Sequence, residues 1–130
     1  MSYSIKNLRE VEDVAPRFGF DEVQEARFPR GDLEAETIGL AFHRIKPGCR
    51  QAFAHRHDEA EEIYVVLSGR GRIKLNDEIR EVREMDAIRV APKMLRAFEA
   101  GSDGLELLVF GPHHGEDRGA ISEDFWGQPA

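Results

Sequence analysis

The segment from His55 to Gly69 reads HRHDEAEEIYVVLSG, and its second half predicts a buried strand. The run from Glu62 to Leu67 is rich in β-branched and aromatic residues, which favour a pleated and partly buried surface. In the first half, His55 and His57 stand two residues apart, and such residues project to the same face of an extended chain. The segment therefore predicts two imidazoles side by side, just ahead of a core strand.

Short apolar segments alternate with turn residues on both sides of this segment. The predicted strands are Thr37 to Ile45, Cys49 to His57, Glu62 to Leu67, Ile73 to Leu75, Glu78 to Val82, Ala87 to Val90, Arg96 to Glu99 and Leu105 to Phe110. The pair Asn76-Asp77 predicts a tight hairpin turn, and Gly69-Arg70-Gly71 predicts another turn. No stretch predicts a helix of convincing length, so the spacing of the strands indicates an all-β sandwich or barrel.

The chain has 130 residues, which fits one domain with a hydrophobic core. We predict a barrel core over residues 37–110. Residues 1–36 predict an irregular N-terminal arm, because prolines and glycines such as Pro16 and Gly19 interrupt every periodic pattern there. Residues 111–130 predict a loop-rich C-terminal tail, in which Phe125 and Trp126 are the large apolar side chains.

Composition and charge restrict the class of partner. Hydrophobic residues make up 41% of the chain and charged residues 33%, a balance typical of soluble globular proteins. The formal net charge of −7 argues against nucleic acid or an anionic membrane surface as a partner. No apolar run approaches the ~20 residues needed to cross a bilayer, and the first residues lack the apolar region of a signal peptide. A single cysteine, Cys49, allows no internal disulfide, so we expect a cytoplasmic protein.

Two histidines with a carboxylate nearby form a possible ligand set for a divalent ion. A carboxylate across a turn on the next strand can supply a third donor, and Glu62 and Tyr64 share one face of that strand. Such a set leaves open coordination positions opposite, as in non-haem iron and other transition-metal sites. A histidine pair in an acidic loop is also typical of a solvated turn, so the pair alone does not decide between the two interpretations.

The order of residues around the pair resembles the first motif of the cupin superfamily, which runs from glycine through two histidines and a glutamate to a second glycine. In this sequence the motif is filled by Gly48, His55, His57, Glu62 and Gly69, with six residues instead of five after the first glycine. The six-residue gap to Gly69 favours Glu62 over Glu61 as the glutamate. The resemblance implies a double-stranded β-helix, the jelly-roll cupin barrel, with these side chains in its pocket.

The second cupin motif is altered in this sequence. The turn glycine of the family falls at Lys93, its histidine at Arg96 and its asparagine at Ala100. An arginine at neutral pH has no free lone pair and does not ligate a metal. The resemblance therefore implies at most three of the ligands that cupins usually carry.

Two hypotheses follow for the pocket. In the first, His55, His57 and Glu62 hold a divalent transition metal, and iron, manganese, nickel and zinc all stay open. In the second, no metal binds, and the guanidinium of Arg96 pairs with Glu62 or with an anionic ligand, because its planar fork matches a carboxylate. The positive charge of Arg96 opposes a dication, which weakens the first hypothesis without excluding it.

Several other side chains are candidates for the pocket. Besides Arg96, the predicted ligand-binding residues are Tyr64, Gln51, Phe53 and Phe98. His113 and His114 follow the last predicted strand, and they either lean over the mouth of the barrel or are solvated loop residues. His43 is predicted to be structural or on the surface.

Three classes of function remain, and the expected partner is a small-molecule ligand rather than nucleic acid or a membrane. The first is a metal-dependent enzyme of the cupin type, such as an oxygenase, isomerase or lyase. The second is a small-molecule binding or sensing module, with or without metal, and the third is a structural homodimer with a vestigial pocket. The fold does not choose among them, because one barrel hosts many unrelated activities.

The resemblance also implies a homodimer, because cupins commonly pair through extended terminal segments and exposed sheet edges need cover. Light scattering checks this expectation. A mass of twice 14.7 kDa would support it, and a mass near 14.7 kDa at micromolar concentration would contradict it.

Overall fold

The structure of the protein is a computed structural model that describes residues 2–113, 119–122 and 124–127. Its strands are β1 (Gln24–Arg27), β2 (Ile38–Ile45), β3 (Ala54–Arg56), β4 (Glu62–Leu75), β5 (Glu78–Arg83), β6 (Ala87–Val90), β7 (Arg96–Pro112) and β8 (Ala120–Ser122). Its helical segments are the single turn α1 (Arg30–Leu33) and two 3₁₀ segments, Leu8–Glu10 and Ala15–Phe18. The prediction of an all-β fold is therefore confirmed. None of the helices within the described ranges is both long and apolar enough to span a bilayer.

The strands form one curled antiparallel sheet around the core. Pairing runs in the order β1-β2-β7-β3-β8, and β4 pairs with β5, β6 and β7. The two long strands, β4 and β7, pair along most of their length, from Ile63 opposite Phe110 to Leu75 opposite Arg96. Their inward faces carry much of the buried core: Tyr64, Val66, Ile73, Phe98, Leu105, Leu107 and Val109. Burial of this apolar surface is what stabilises the curled sheet.

The prediction of a turn at Gly69-Arg70-Gly71 is wrong, because β4 runs straight through this segment. The strand instead shifts its register against β7 twice, between Val66 and Ser68 and again between Gly69 and Gly71. A Cβ atom on either glycine would overlap a carbonyl group of β7. The glycines therefore permit a bulged strand to approach its neighbour closely, and they do not reverse the chain.

Two other predicted boundaries also differ from the structure. The segments Arg96 to Glu99 and Leu105 to Phe110 belong to one strand, β7, which continues between them. The predicted strand from Cys49 to His57 is regular only at Ala54–Arg56. The residues before Ala54 contact β7 one at a time, as when the backbone N–H of Gln51 donates to the carbonyl of Phe98 at 3.0 Å.

The two terminal segments are less irregular than predicted. β1 lies within the N-terminal arm and pairs with β2, from Gln24 opposite Ile45 to Arg27 opposite Phe42. β8 lies within the C-terminal tail and pairs with β3. Both strands are short, and their backbone groups find partners only in strands distant in sequence, so local patterning did not reveal them.

Candidate metal centre

The two histidines of the predicted pair lie side by side. His55 is in β3 and His57 comes two residues later, so both side chains project to the same side of the chain. Their ring centroids are 5.0 Å apart, with the ring planes nearly perpendicular. The backbone N–H of His57 donates to the carbonyl of Pro92 at 2.7 Å, which holds this segment against the loop that follows β6.

Glu62 is the first residue of β4, and its carboxylate reaches both rings. Its Oε1 lies 3.4 Å from Nε2 of His55 and 3.3 Å from Nε2 of His57. One possible ligand atom from each of the three residues lies within 4.8 Å of the other two, a spacing that one metal ion can span. The structure thus brings together the three residues that the sequence predicted as ligands.

Arg96 contacts the same carboxylate, and its side chain is fully buried (0% exposed). Its Nη2 donates to Oε1 of Glu62 at 2.9 Å, and its Nε donates to the hydroxyl of Tyr64 at 3.2 Å. Its Nη1 contacts backbone carbonyls of the loop before β7, at 2.7 Å from Met94 and 3.0 Å from Pro92. Of the two pairings proposed for this guanidinium, the structure therefore has the one with Glu62.

Tyr64 joins the carboxylate and the guanidinium. Its hydroxyl donates to Oε1 of Glu62 at 3.1 Å while it accepts from Arg96, and its ring packs 5.1 Å from that of Phe98. Burial raises the pKa of the Tyr64 hydroxyl, and the negative charge of Glu62 raises it further. The hydroxyl is therefore held protonated as a donor to the carboxylate.

Opposing effects act on the pKa of Glu62. Burial alone would raise the pKa of this carboxyl, but hydrogen bonds from His55 and His57 outweigh burial and hold its pKa well below the usual range. The ion pair with Arg96 acts in the same direction. Glu62 is therefore an anion at neutral pH, which is the form that ligates a metal.

Gln51 and Phe53, also predicted to bind a ligand, contact the framework around the site. Oε1 of Gln51 accepts from the backbone N–H of Phe98 at 2.9 Å. The ring of Phe53 packs edge-on against that of Phe20 at 5.3 Å. These contacts fix the chain that leads into His55, and direct contact of Gln51 or Phe53 with a ligand stays a prediction.

A cavity of about 390 Å³ adjoins the triad of His55, His57 and Glu62. Its lining includes Phe28, Arg30, Leu40, His57, Glu62, Val109 and His113. His113 therefore reaches the cavity, an outcome that sequence reasoning left open, while His114 lies outside the described residues. Arg30 was not identified from the sequence, because its segment carries no motif and reads as part of an irregular arm.

His43 also lies nearer the site than the sequence indicated. It shares the inward face of β2 with the buried residues Ala41 and Ile45, and its Nδ1 is 3.3 Å from Nε2 of Gln24. Its ring meets that of Phe28 edge-on, with centroids 5.7 Å apart. The alternation of β2 contained this signal, but only the structure establishes which of the two faces points inward.

Stability should depend on the protonation of His43. Burial lowers the pKa of His43 from 6.5 to about 4, with a further decrease from His55 that Glu62 partly opposes. The pKa of His43 is lower in the folded protein than in the unfolded chain, so as pH falls His43 takes up its proton in the unfolded chain first. The free energy of unfolding therefore decreases as pH falls from about 6.5 towards 4. Between pH 7 and pH 5 this group alone should lower the free energy of unfolding by about 2 kcal/mol.

Urea denaturation of the parent and of His43→Gln at both pH values measures this effect. The variant should lose that part of the pH dependence, whereas the control His113→Gln, at an exposed position, should keep it. The same pH dependence in His43→Gln as in the parent would contradict the assignment.

The fold and the site together define an antiparallel β-barrel with a His-His-Glu group in its pocket. The Cupin domain family matches residues 41–110, more than half of the sequence, and the chain belongs to this family. The resemblance drawn from the first motif is thereby confirmed, and with it the jelly-roll form of the barrel.

Known proteins agree with this assignment. The uncharacterized protein MJ1618 of Methanocaldococcus jannaschii is 36% identical to this chain over an alignment of 76 residues. The alignment covers 56% of this chain and 61% of MJ1618, which is less than two thirds of the length of that relative. A cupin protein from Bacteroides fragilis, BF4112, superimposes with a TM-score of 0.69 at 24% identity over 92% of each chain. The polyketide cyclase RemF from Streptomyces resistomycificus superimposes with a TM-score of 0.71 at 21% identity, over 94% of this chain and 85% of that one. These two structural similarities establish the fold.

The donors of the pocket fit a divalent transition metal. Imidazole nitrogens and a carboxylate oxygen are ligand types that such ions accept, and three of them on one side leave room for a small molecule opposite. The hydrogen bonds from Tyr64 and Arg96 to Glu62 both end on Oε1.

Proposed function

We propose that this cupin barrel binds one divalent transition metal through His55, His57 and Glu62, together with a small organic anion in the adjoining cavity. The observation that carries the proposal is the convergence of three metal-ligating side chains within 4.8 Å, two of which, His57 and Glu62, line a cavity of about 390 Å³. The cavity volume lies in the lower part of the range for small-molecule sites, about 300–1,000 Å³.

The remaining pocket residues serve to hold the carboxylate in place. Tyr64 and Arg96 fix Glu62 from behind, in the way that outer-shell hydrogen bonds orient metal ligands. A bound iron, manganese, nickel or zinc ion would supply Lewis-acid chemistry towards a ligand oxygen. Whether the barrel is an enzyme, such as an oxygenase, isomerase or lyase, depends on that ligand and on a proton acceptor beside it.

A second candidate is a metal-free module that binds or senses a small molecule. The ion pair between Arg96 and Glu62 favours it, because it already neutralises the carboxylate and leaves a cation next to the metal position. In that case His55 and His57 are hydrogen-bonding groups of the pocket. The two candidates differ in one measurable property, which is stoichiometric metal binding.

Titration calorimetry on metal-stripped protein tests the proposal. We expect the parent to bind one ion per chain, with an affinity that falls at acid pH as the imidazoles take up protons. His57→Ala should bind at least about tenfold more weakly because it loses a ligand, and the control His113→Ala should bind like the parent.

Absence of saturable binding by the parent for each of manganese, iron, nickel and zinc would reject the metal site and favour the metal-free module. Equal affinity in the parent and His57→Ala would reject these ligands. The homodimer remains a prediction that light scattering tests independently.

A further inference from the structure

A second arginine, Arg30, lies at the cavity and differs from Arg96 in how its donors are used. Arg30 is the first residue of α1 and follows the buried residue Pro29, so its backbone is anchored at the edge of the cavity. The Nε atom of Arg30 is buried, and it has no hydrogen-bond partner within the described residues. Buried guanidinium donors are normally paired, so the guanidinium of Arg30 is left to find an acceptor beyond the described residues.

The charge balance of the cavity supports an anion as that partner. Glu62 is the carboxylate among the lining residues, and Arg96 already neutralises it through a 2.9 Å hydrogen bond. Among the described residues of the lining, the positive charge of Arg30 therefore has no carboxylate of its own. With neutral histidines the pocket carries about one net positive charge, which suits a monoanion.

The rest of the lining indicates what the anion is attached to. Besides Arg30, Glu62 and two histidines, the lining is mainly apolar and includes Phe28, Leu40, Ala41, Ala60 and Val109. A ligand with a charged head and a compact apolar body is complementary to such a wall, because each end meets its own kind of surface. A planar carboxylate accepts two parallel hydrogen bonds from a guanidinium fork, which gives both orientation and affinity.

We infer that Arg30 binds the carboxylate of a small organic monoacid, whose apolar body extends along the cavity towards His57. The inference deepens the proposed function, since it uses the same cavity, but it does not require the metal. Arg30 is then the residue that selects acids over neutral molecules of the same shape.

Binding of benzoate and of its neutral analogue benzamide tests this inference. Affinities are measured by ligand-observed NMR on the full chain as purified, and again after treatment with a chelator. The parent should prefer benzoate by about tenfold or more, the usual gain from a charge-assisted hydrogen bond. Arg30→Gln should lose this preference, and Arg30→Lys should keep part of it because it retains the charge without the fork.

Arg44→Gln is the matched control, because it removes one positive charge from an exposed position of β2 and should keep the preference. Equal affinity of the parent for benzoate and benzamide, or no binding of benzoate, would overturn the inference. Tighter binding of inorganic phosphate than of benzoate would overturn the carboxylate class. Another outcome is that the parent prefers benzoate after chelator treatment and yet shows no saturable metal binding in calorimetry. That pair of results would reject the metal site and leave the inference about Arg30 intact.

Discussion

Replacing Arg96 by leucine should lower the free energy of unfolding by about 3–5 kcal/mol. The guanidinium is fully buried, and it donates to Glu62, to Tyr64 and to backbone carbonyls of the loop before β7. Leucine leaves the carboxylate of Glu62 without its cation and leaves the carbonyls without donors. Leaving one member of a buried ion pair uncompensated is among the most destabilising changes that a core tolerates.

The double variant Glu62→Leu/Arg96→Leu separates the destabilisation caused by the uncompensated carboxylate of Glu62 from that caused by the backbone carbonyls left without donors. If the uncompensated charge dominates, the double variant should be more stable than Arg96→Leu alone, because buried ion pairs are often replaceable by apolar residues. Chemical denaturation of both variants and the parent measures the difference. A loss below about 1 kcal/mol in Arg96→Leu would contradict the role given to this buried network.

Replacing Arg96 by histidine should raise the affinity for a divalent transition metal by about tenfold or more, even though the metal-free variant is less stable than the parent. Arg96 lies directly opposite His55 in the pairing of β3 with β7. Side chains at such opposed positions lie on the same face, with Cβ atoms about 4.5–5.5 Å apart. The change therefore removes a fixed positive charge and adds a neutral nitrogen donor beside the existing pair.

Calorimetry on metal-stripped Arg96→His, Arg96→Leu and parent protein distinguishes the two contributions. Arg96→Leu removes the charge without adding a donor, so any gain that it shows reports electrostatics alone. A larger gain in Arg96→His reports coordination by the new imidazole. Equal or weaker affinity in Arg96→His than in the parent would show that position 96 does not serve the metal position.

The His-His-Glu group was accessible from the sequence because its information is local. The i, i+2 spacing of His55 and His57 determines that both rings leave an extended chain on one side. The resemblance to the first cupin motif, with its six-residue gap from Glu62 to Gly69, then chose between two adjacent glutamates. The alternation of short apolar segments was likewise sufficient to predict an all-β fold, since it depends on the period of the strand and not on its partner.

The partner of Arg96 was decided by tertiary structure. For the metal-free pocket, the sequence left both Glu62 and an exogenous anion open as partners of its guanidinium. Burial of position 96 and its register opposite His55 bring Glu62 and Tyr64 within reach of the same side chain. In this arrangement the protein supplies its own anion, and the guanidinium holds the predicted ligand in place.

The composition of the cavity wall depended on tertiary structure as well. Arg30 lines the cavity and His43 packs against Phe28 of its wall, and both come from segments with no motif that only the pairing of β1 with β2 and the position of α1 bring to the site. The continuity of β4 through Gly69 has the same origin, because pairing with β7 supplies hydrogen bonds where a local pattern predicts a turn. The sequence by itself determined the strand class and the shared face of the two histidines, which follow from spacings of a few residues, and its resemblance to the cupin motif added Glu62. Contacts between residues far apart in the chain determined which charges face each other in the pocket, because only burial and strand register bring those residues together.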